Sequence, residues 1–224
     1  MNNINLTIPQ DILDFLDIVV EKTKGYHVYL GGGFLRDLYF NQVVNKGNPA
    51  GVGTYNIPKD LDIFFVPNKY YNLGNEIPVI AKTYINYDTL AKDIPDMQER
   101  GVDSVRGMFV KGLSTCDVQF IKYGKYFIGP EHLAEDMDMN INQIMYCPVN
   151  KTFHVTEDFI NGHKDKTIKC LHEFDKYRMY KRYKRMMTKF PSYSIITDLD
   201  MEYYHRLDEK KPKRSGASSI SFVD

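Results

Sequence analysis

Apolar residues recur every three to four positions in the first segment of the chain, which predicts an amphipathic helix over residues 8–24. A run of β-forming residues, 26–30, follows and leads directly into three glycines. A second helical pattern begins at Phe34 and extends to Phe40. The first forty residues therefore predict a helix, a strand, a glycine turn and a second helix.

The clearest strand signal is the β-branched and aromatic run over residues 59–66, which Pro67 ends. Two further strands on either side of Gly112 predict a hairpin. The Gly- and Pro-rich stretch 41–58 predicts a loop, and residues 69–100 are expected to be helical in part. The hairpin strands and one more short strand are predicted at 104–111, 115–122 and 152–155. The remaining helices are predicted at 131–134, 138–145, 156–161 and 171–188.

These elements predict an α+β fold, a small mixed and twisted sheet of about five strands with helices mainly on one face, followed by a short basic helical module. We expect a head domain over 1–168, a neck-like basic module over 169–207 and a disordered tail over 208–224. The apolar content of 43% excludes a disordered chain. No apolar run approaches the roughly 20 residues that span a bilayer, so we expect a cytoplasmic protein without a membrane partner.

The distribution of charge is more informative than its total. The chain has 29 basic and 29 acidic residues, but residues 1–163 carry 14 basic and 20 acidic ones, whereas residues 164–214 carry 15 basic and 8 acidic ones. An acidic body followed by a basic region suggests one carboxylate-bearing surface and one that faces a polyanion. The three cysteines show no C-x-x-C spacing and the six histidines no ligand pair, so neither a disulfide framework nor a zinc site is expected.

Three acidic residues on strands are the strongest chemical signal. Asp60 and Asp62 alternate with apolar residues on one predicted strand, so both carboxylates point to one face. Two like charges at the rim of a core favour a cation between them, and oxygen ligands suit Mg²⁺. Asp117, on a later strand, would complete a site for two Mg²⁺ ions and phosphoryl transfer. The alternative for the acid pair is a solvated edge strand.

A resemblance strengthens this interpretation. Gly32-Gly33-Phe34-Leu35-Arg36-Asp37, followed after 22 residues by Asp60-Leu61-Asp62-Ile63, resembles the head-domain signature of the polymerase-β-type nucleotidyltransferases. Within that superfamily it is most similar to the bacterial-type tRNA CCA-adding enzymes and poly(A) polymerases. The segment Asp138–Asn142 resembles part of a second family motif, and the helix beginning at Asp175 resembles a degraded form of the helix that opens the family's neck. The resemblance covers roughly residues 25–185.

The resemblance implies a role for each matched residue. Asp60 and Asp62 would bind the catalytic Mg²⁺ ions, and Asp117 would be the third acid. A second group would bind the nucleoside triphosphate (NTP). That nucleotide-binding group comprises Gly32, Gly33, Arg36, Asp138 and Asn142. Asp37 is expected to be a structural partner rather than a metal ligand.

Two departures from the family pattern limit what the resemblance implies. Where the family has an Arg-Arg pair, this chain has Asp136-Met137, so those cationic contacts are absent. A Glu-Asp-x-x-Arg base-reading motif is not found, because Asp175 and Arg178 fit only its last part. The residues after the basic helix are also expected to be too few for the body and tail domains that measure a tRNA.

The basic helix has two interpretations. Its cations interleave with tyrosines and methionines, which suits either a solvated face over a core or contact with an RNA backbone and its bases. The residues predicted to bind RNA are Arg178, Lys181, Arg182, Lys184 and Arg185.

The predicted function is Mg²⁺-dependent transfer of a nucleoside monophosphate from an NTP to a hydroxyl, with an RNA 3′ end, above all that of tRNA, as acceptor. One alternative on the same fold is transfer to a protein (NMPylation), or a toxin-like or defence-related modification of tRNA. The other is a non-catalytic module that binds nucleotides or RNA. The sequence identifies neither the nucleotide nor the oligomeric state.

Overall fold

The computed structural model describes residues 4–23, 26–46, 60–67, 85–90, 102–110, 117–123, 129–172 and 175–210. Its centre is a mixed sheet with strand order β3-β4-β5-β2-β1-β6-β7. The strands of this sheet are β1 Tyr26–Gly31, β2 Asp60–Pro67, β3 Ile85–Leu90, β4 Val102–Val110, β5 Asp117–Tyr123, β6 Ile144–Cys147 and β7 Thr152–Val155. The pair β2 and β5 is parallel, and the other neighbouring strands are antiparallel.

Six α-helices surround or follow this sheet within the described residues. They are α1 Gln10–Lys22, α2 Gly32–Tyr39, α3 Pro130–Glu135, α4 Glu157–Lys164, α5 Lys176–Lys189 and α6 Met201–Lys210. A π-helical turn, Phe40–Val44, extends α2. A small parallel sheet of β8 Thr167–Lys169 and β9 Ser194–Ile196 flanks α5. None of the described helices is long and apolar enough to cross a membrane.

The central strand β2 separates two apolar cores because its side chains alternate between the two faces of the sheet. Leu61, Ile63 and Phe65 pack in the larger core, to which α1, α2 and α4 contribute. Phe64 and Val66 pack in a smaller core against α3. The α+β class with helices mainly on one face is thereby confirmed, and the sheet has two strands more than the expected five.

A third core joins the basic module to the sheet. Tyr183 and Met186 of α5 pack with Phe190 against Phe40, at the end of α2, and against Ile141. Each fully buried side chain of this size stabilises the packing by about 1.5–3 kcal/mol. Since the cluster draws on both regions, the basic helix is docked on the head through an apolar interface.

Several local predictions are corrected. Residues 138–145 are not a helix: they form a short 3₁₀ turn, Asn140–Asn142, followed by β6. The stretch 69–100, expected to be partly helical, contains β3, and the rest of it lies outside the described residues. Residues 208–210 belong to α6 rather than to a disordered tail, because Asp208 pairs with lysines of α5; residues 211–224 lie outside the described part of the chain.

Candidate active site

Backbone register brings the predicted acidic positions together at one end of the sheet. Asp60 begins β2 and is the register partner of Asp117, which begins β5. Asp62 is the register partner of Gly31, the last residue of β1. Directly opposed residues on neighbouring strands lie on the same face of a sheet. The side chain of Asp117 lies outside what the structure describes, so its place in the site rests on this register.

The glycine turn and Asp62 fit against each other. Gly32 has a φ of +68°, a conformation that glycine adopts without strain. A Cβ atom at this position would overlap Oδ2 of Asp62. The backbone N–H of Gly33, in the first turn of α2, donates a hydrogen bond to the Asp62 carboxylate. The N-terminus of α2 therefore holds the acid that is predicted to bind metal.

Burial and a like charge dominate the electrostatics of Asp62. The residue is only 8% exposed, and its burial together with the neighbouring charge of Asp60 raises the pKa of its carboxyl to about 8. The Gly33 N–H, Arg36 and Arg182 act in the opposite direction. Asp60 is partly exposed and accepts a hydrogen bond of 3.0 Å from Nε2 of Gln119.

A buried carboxylate whose pKa is raised by a neighbouring carboxylate fits a divalent cation, which would relieve the repulsion between the two. Among the side chains that the structure describes, which exclude that of Asp117, no group of three His, Cys, Asp or Glu is arranged as a metal site. Asp60 and Asp62 are therefore the described part of a candidate Mg²⁺ site.

Arg36 is buried and held from two sides. Its Nε donates to Oδ1 of Asp37 at 2.8 Å, and its Nη1 donates to Oδ1 of Asn142 at 2.9 Å. Its guanidinium also lies 5.6 Å from the centre of the Phe190 ring, a cation–π contact. Arg36 thus has a fixed position one turn from the glycines.

Asp37 connects this part of the site to α5. Its Oδ2 accepts a hydrogen bond of 2.6 Å from Nζ of Lys189, and its carboxylate is 1% exposed. Burial and the charge of Arg36 lower the pKa of Lys189. With a guanidinium and an ammonium as its partners, Asp37 has the structural surroundings predicted for it.

Asp138 and Asn142 face the same network. Nδ2 of Asn142 donates to Oδ1 of Asp138 at 3.0 Å, and Oδ2 of Asp138 contacts Nη1 of Arg182 on α5. The peptide N–H of Leu171 also binds the carbonyl oxygen of Asp138. Asn142 therefore holds Arg36 and Asp138 holds Arg182, and a direct contact of Asp138 or Asn142 with a nucleotide stays a prediction.

The five residues predicted to bind RNA differ in exposure. Arg182 is only 5% exposed and contacts Asp138, so the expectation that it lies on the RNA-facing surface is corrected. Its helical position directs it toward the head, where an acid is available. Lys181 and Lys184 are exposed, and both pair with Asp208 of α6. Arg178 and Arg185 are partly exposed.

Three residues of the site were not predicted from the sequence. Gln119 lies two positions after Asp117, so both are on the same face of β5. The two-residue period of a strand could therefore have identified Gln119 as a neighbour of the acids. Lys189 and Asp208 show no comparable signal, since their partners Asp37 and Lys181 are distant in sequence.

No protein-family model matches the chain, and no curated protein matches it in sequence. Solved structures do match it. The Thermotoga maritima CCA-adding enzyme complexed with tRNA is similar with a TM-score of 0.54 and 15% identity, over 89% of this chain and 42% of that one. A CCA-adding enzyme in an apo form has a TM-score of 0.56 and 17% sequence identity, over 90% of this chain and 44% of that one. A CCA-adding enzyme in complex with CTP has a TM-score of 0.53 and 16% sequence identity, over 90% of this chain and 44% of that one.

The chain shares the fold of the matched part of these CCA-adding enzymes. The resemblance predicted from the glycine turn and the acid pair is confirmed at the level of fold, over more of the chain than residues 25–185. The chain spans less than half the length of these CCA-adding enzymes.

Proposed function

We propose that this protein transfers a nucleoside monophosphate from an NTP to the 3′ hydroxyl of an RNA, with release of pyrophosphate. The observation that carries the proposal is the placement of Asp62 in the Gly32–Gly33 turn at the N-terminus of α2, with Asp60 and Asp117 in register beside it. A helix N-terminus favours anions, and both carboxylates and phosphates would meet at this one. Because these groups repel each other, a cation between them is favoured. The shared fold with enzymes solved in complex with CTP and with tRNA supports this choice of substrates.

In the proposed reaction the RNA 3′ oxygen attacks the α-phosphorus of the NTP. A new bond forms between that oxygen and the α-phosphorus, the bond from the α-phosphorus to the bridging oxygen of the β-phosphate breaks, and pyrophosphate leaves. The hydroxyl proton passes to solvent. Mg²⁺ held by Asp60, Asp62 and Asp117 would supply charge neutralisation and activation of the hydroxyl.

The residues around the carboxylates would orient the nucleotide. Peptide N–H groups at the start of α2 and the fixed guanidinium of Arg36 would bind phosphate oxygens. Gln119 keeps the carboxylate of Asp60 in place through its hydrogen bond. Arg178 and Arg185 of α5, which are partly exposed, would bind phosphates of the acceptor RNA.

The test supplies each α-labelled NTP, Mg²⁺, total RNA and total cell protein to the purified chain, then separates RNA and protein on different gels. We expect label in RNA and one pyrophosphate released for each nucleotide incorporated. Label in protein alone would overturn the RNA acceptor in favour of NMPylation. Binding of NTP with no pyrophosphate release in the presence of RNA would instead indicate a non-catalytic binding module.

A further inference from the structure

Gln119 is a buried polar residue of β5, beside the candidate Mg²⁺ site. It is 8% exposed, and its Nε2 donates a hydrogen bond of 3.0 Å to Oδ2 of Asp60. An ionised carboxylate only accepts hydrogen bonds, so the atom that faces Asp60 is the amide nitrogen. The hydrogen bond therefore fixes both the carboxylate of Asp60 and the orientation of the Gln119 amide.

The other polar atom of this amide, Oε1, is buried and receives no hydrogen bond within the described part of the chain. Leaving a buried carbonyl oxygen without a donor costs about 1–3 kcal/mol. An apolar side chain of similar size would avoid that cost on β5, which has a strand on each side. Unpaired buried groups of this kind occur where an ion, a water molecule or a reactant completes the site.

The neighbouring strands place the Gln119 amide between an acid and a position without a side chain. Gln119 is the register partner of Asp62 on β2 and of Gly107 on β4. Directly opposed residues on neighbouring strands lie on the same face of a sheet. Since glycine has no side chain, the register partner on β4 offers no group that competes with a ligand for Oε1.

The chemistry of the unpaired atom limits what it can bind. A carbonyl oxygen accepts hydrogen bonds, and the phosphate oxygens of an NTP are acceptors as well, so the two do not pair. A water molecule on Mg²⁺ is a donor, and Mg²⁺ usually keeps several waters when one or two carboxylates bind it. Asp60, which Gln119 holds, is one of the carboxylates assigned to that ion. A hydrated divalent cation therefore fits both polar atoms of this amide.

We propose that Gln119 is part of the metal site, in which Nε2 holds Asp60 and Oε1 accepts a hydrogen bond from a water molecule of the bound Mg²⁺. The inference rests on the metal-dependent nucleotidyl transfer proposed above and adds to it a residue that the acid pattern does not include. Removing a group that orients a metal's ligands typically lowers metal affinity by about 10- to 100-fold. Gln119 is accordingly a positioning residue whose effect is on metal binding rather than on folding.

The test measures binding of Mn²⁺, as a substitute for Mg²⁺, to the full chain through the electron paramagnetic resonance signal of free Mn²⁺. Gln119→Leu, which removes both polar atoms with little change in size, is expected to weaken Mn²⁺ binding by about 10- to 100-fold. Its melting temperature without metal should stay close to that of the wild type, because the variant also removes an unpaired buried oxygen. Gln119→Glu keeps an oxygen at this position and adds a charge, so it should bind Mn²⁺ at least as tightly as the wild type.

The matched control is Gln143→Leu, the same change at a second buried glutamine, whose amide binds the carbonyl oxygen of Glu135 and the hydroxyl of Thr156. This variant should lower the melting temperature and keep the wild-type affinity for Mn²⁺. Equal Mn²⁺ affinity of Gln119→Leu and the wild type overturns the inference, as does weaker binding by Gln119→Glu than by the wild type. A wild-type chain that binds no Mn²⁺ would instead overturn the metal site of the proposed function.

Discussion

Gly32 and Asp62 share a space that holds either a side chain at position 32 or the carboxylate, but not both. We predict that Gly32→Ala lowers stability by at least about 1 kcal/mol, because φ is +68° there, and also displaces Asp62. Chemical denaturation and NTP binding measure the two effects. Gly33→Ala is the comparison, since a Cβ there approaches only the end of the Arg36 side chain, at 3.3 Å, and should destabilise less. Equal stability of Gly32→Ala and wild type would contradict this geometry.

The pH dependence of stability should report the burial of Asp62. Its folded pKa, raised to about 8, exceeds the unfolded value of 3.8, so the folded state binds more protons between these values. The contribution of Asp62 to the stability of the metal-free chain should therefore be fully present near pH 4 and decrease as the pH rises toward 8. Asp62→Asn should flatten this slope and raise the melting temperature at pH 8. The same slope in wild type and Asp62→Asn would show that another group causes it.

At the residue scale, the sequence predicted the acids and the glycines but not their mutual contact. Asp60 and Asp62 are recognisable because strand alternation places both on one face. Arg182 is different: its helix is basic throughout, and its burial depends on Asp138, 44 positions earlier in the chain. A partner so distant in sequence leaves no local pattern.

Among the elements, α6 covers part of the predicted RNA surface. Asp208 accepts from Lys181 and Lys184 of α5 and from the hydroxyl of Tyr177, the last at 2.6 Å. Tyr204 stacks on Tyr180 in the same interface. The hydrogen bonds from Lys181 and Tyr177 hold the pKa of Asp208 below its ordinary value. One carboxylate therefore holds two of the cations that an RNA backbone would attract.

We predict that Asp208→Asn tightens RNA binding and makes its salt dependence steeper, because two lysines become available to phosphates. Titration of labelled RNA at several salt concentrations measures both quantities. Glu209→Gln is the matched control, because it removes one charge from the same helix at a residue that pairs with His205 of α6. Equal affinity of the two variants would show that Asp208 does not compete with RNA.

The elements that were predicted correctly are those whose signal is local. β2 follows from one apolar run, and the turn from β1 into α2 follows from consecutive glycines. β8, β9 and α6 were not predicted, because the two strands form only by pairing residues 167–169 with 194–196, and α6 depends on its contacts with α5. The segment 138–145 has helical spacing, yet strand pairing with β1 and β7 determines its structure.

Across the whole molecule, the charge division seen in the sequence becomes a contact between two regions. The basic region docks on the acidic one through Lys189 to Asp37 and Arg182 to Asp138, as well as through the third apolar core. Part of the positive charge of α5 is therefore used inside the protein. The sequence could not divide these cations between interior and surface, since that division depends on which face of α5 meets the head.

In the proposed reaction Asp60 and Asp62 hold the metal ion that nucleotidyl transfer requires. The most direct measurement is the rate of incorporation of α-labelled NTP into RNA by the wild type, Asp60→Asn and Asp62→Asn, with Asp158→Asn as an exposed control on α4. We predict Mg²⁺-dependent incorporation by the wild type and the control, and at least about a 100-fold loss in both site variants. Undiminished incorporation by folded Asp60→Asn and Asp62→Asn would contradict the catalytic role proposed for these two carboxylates.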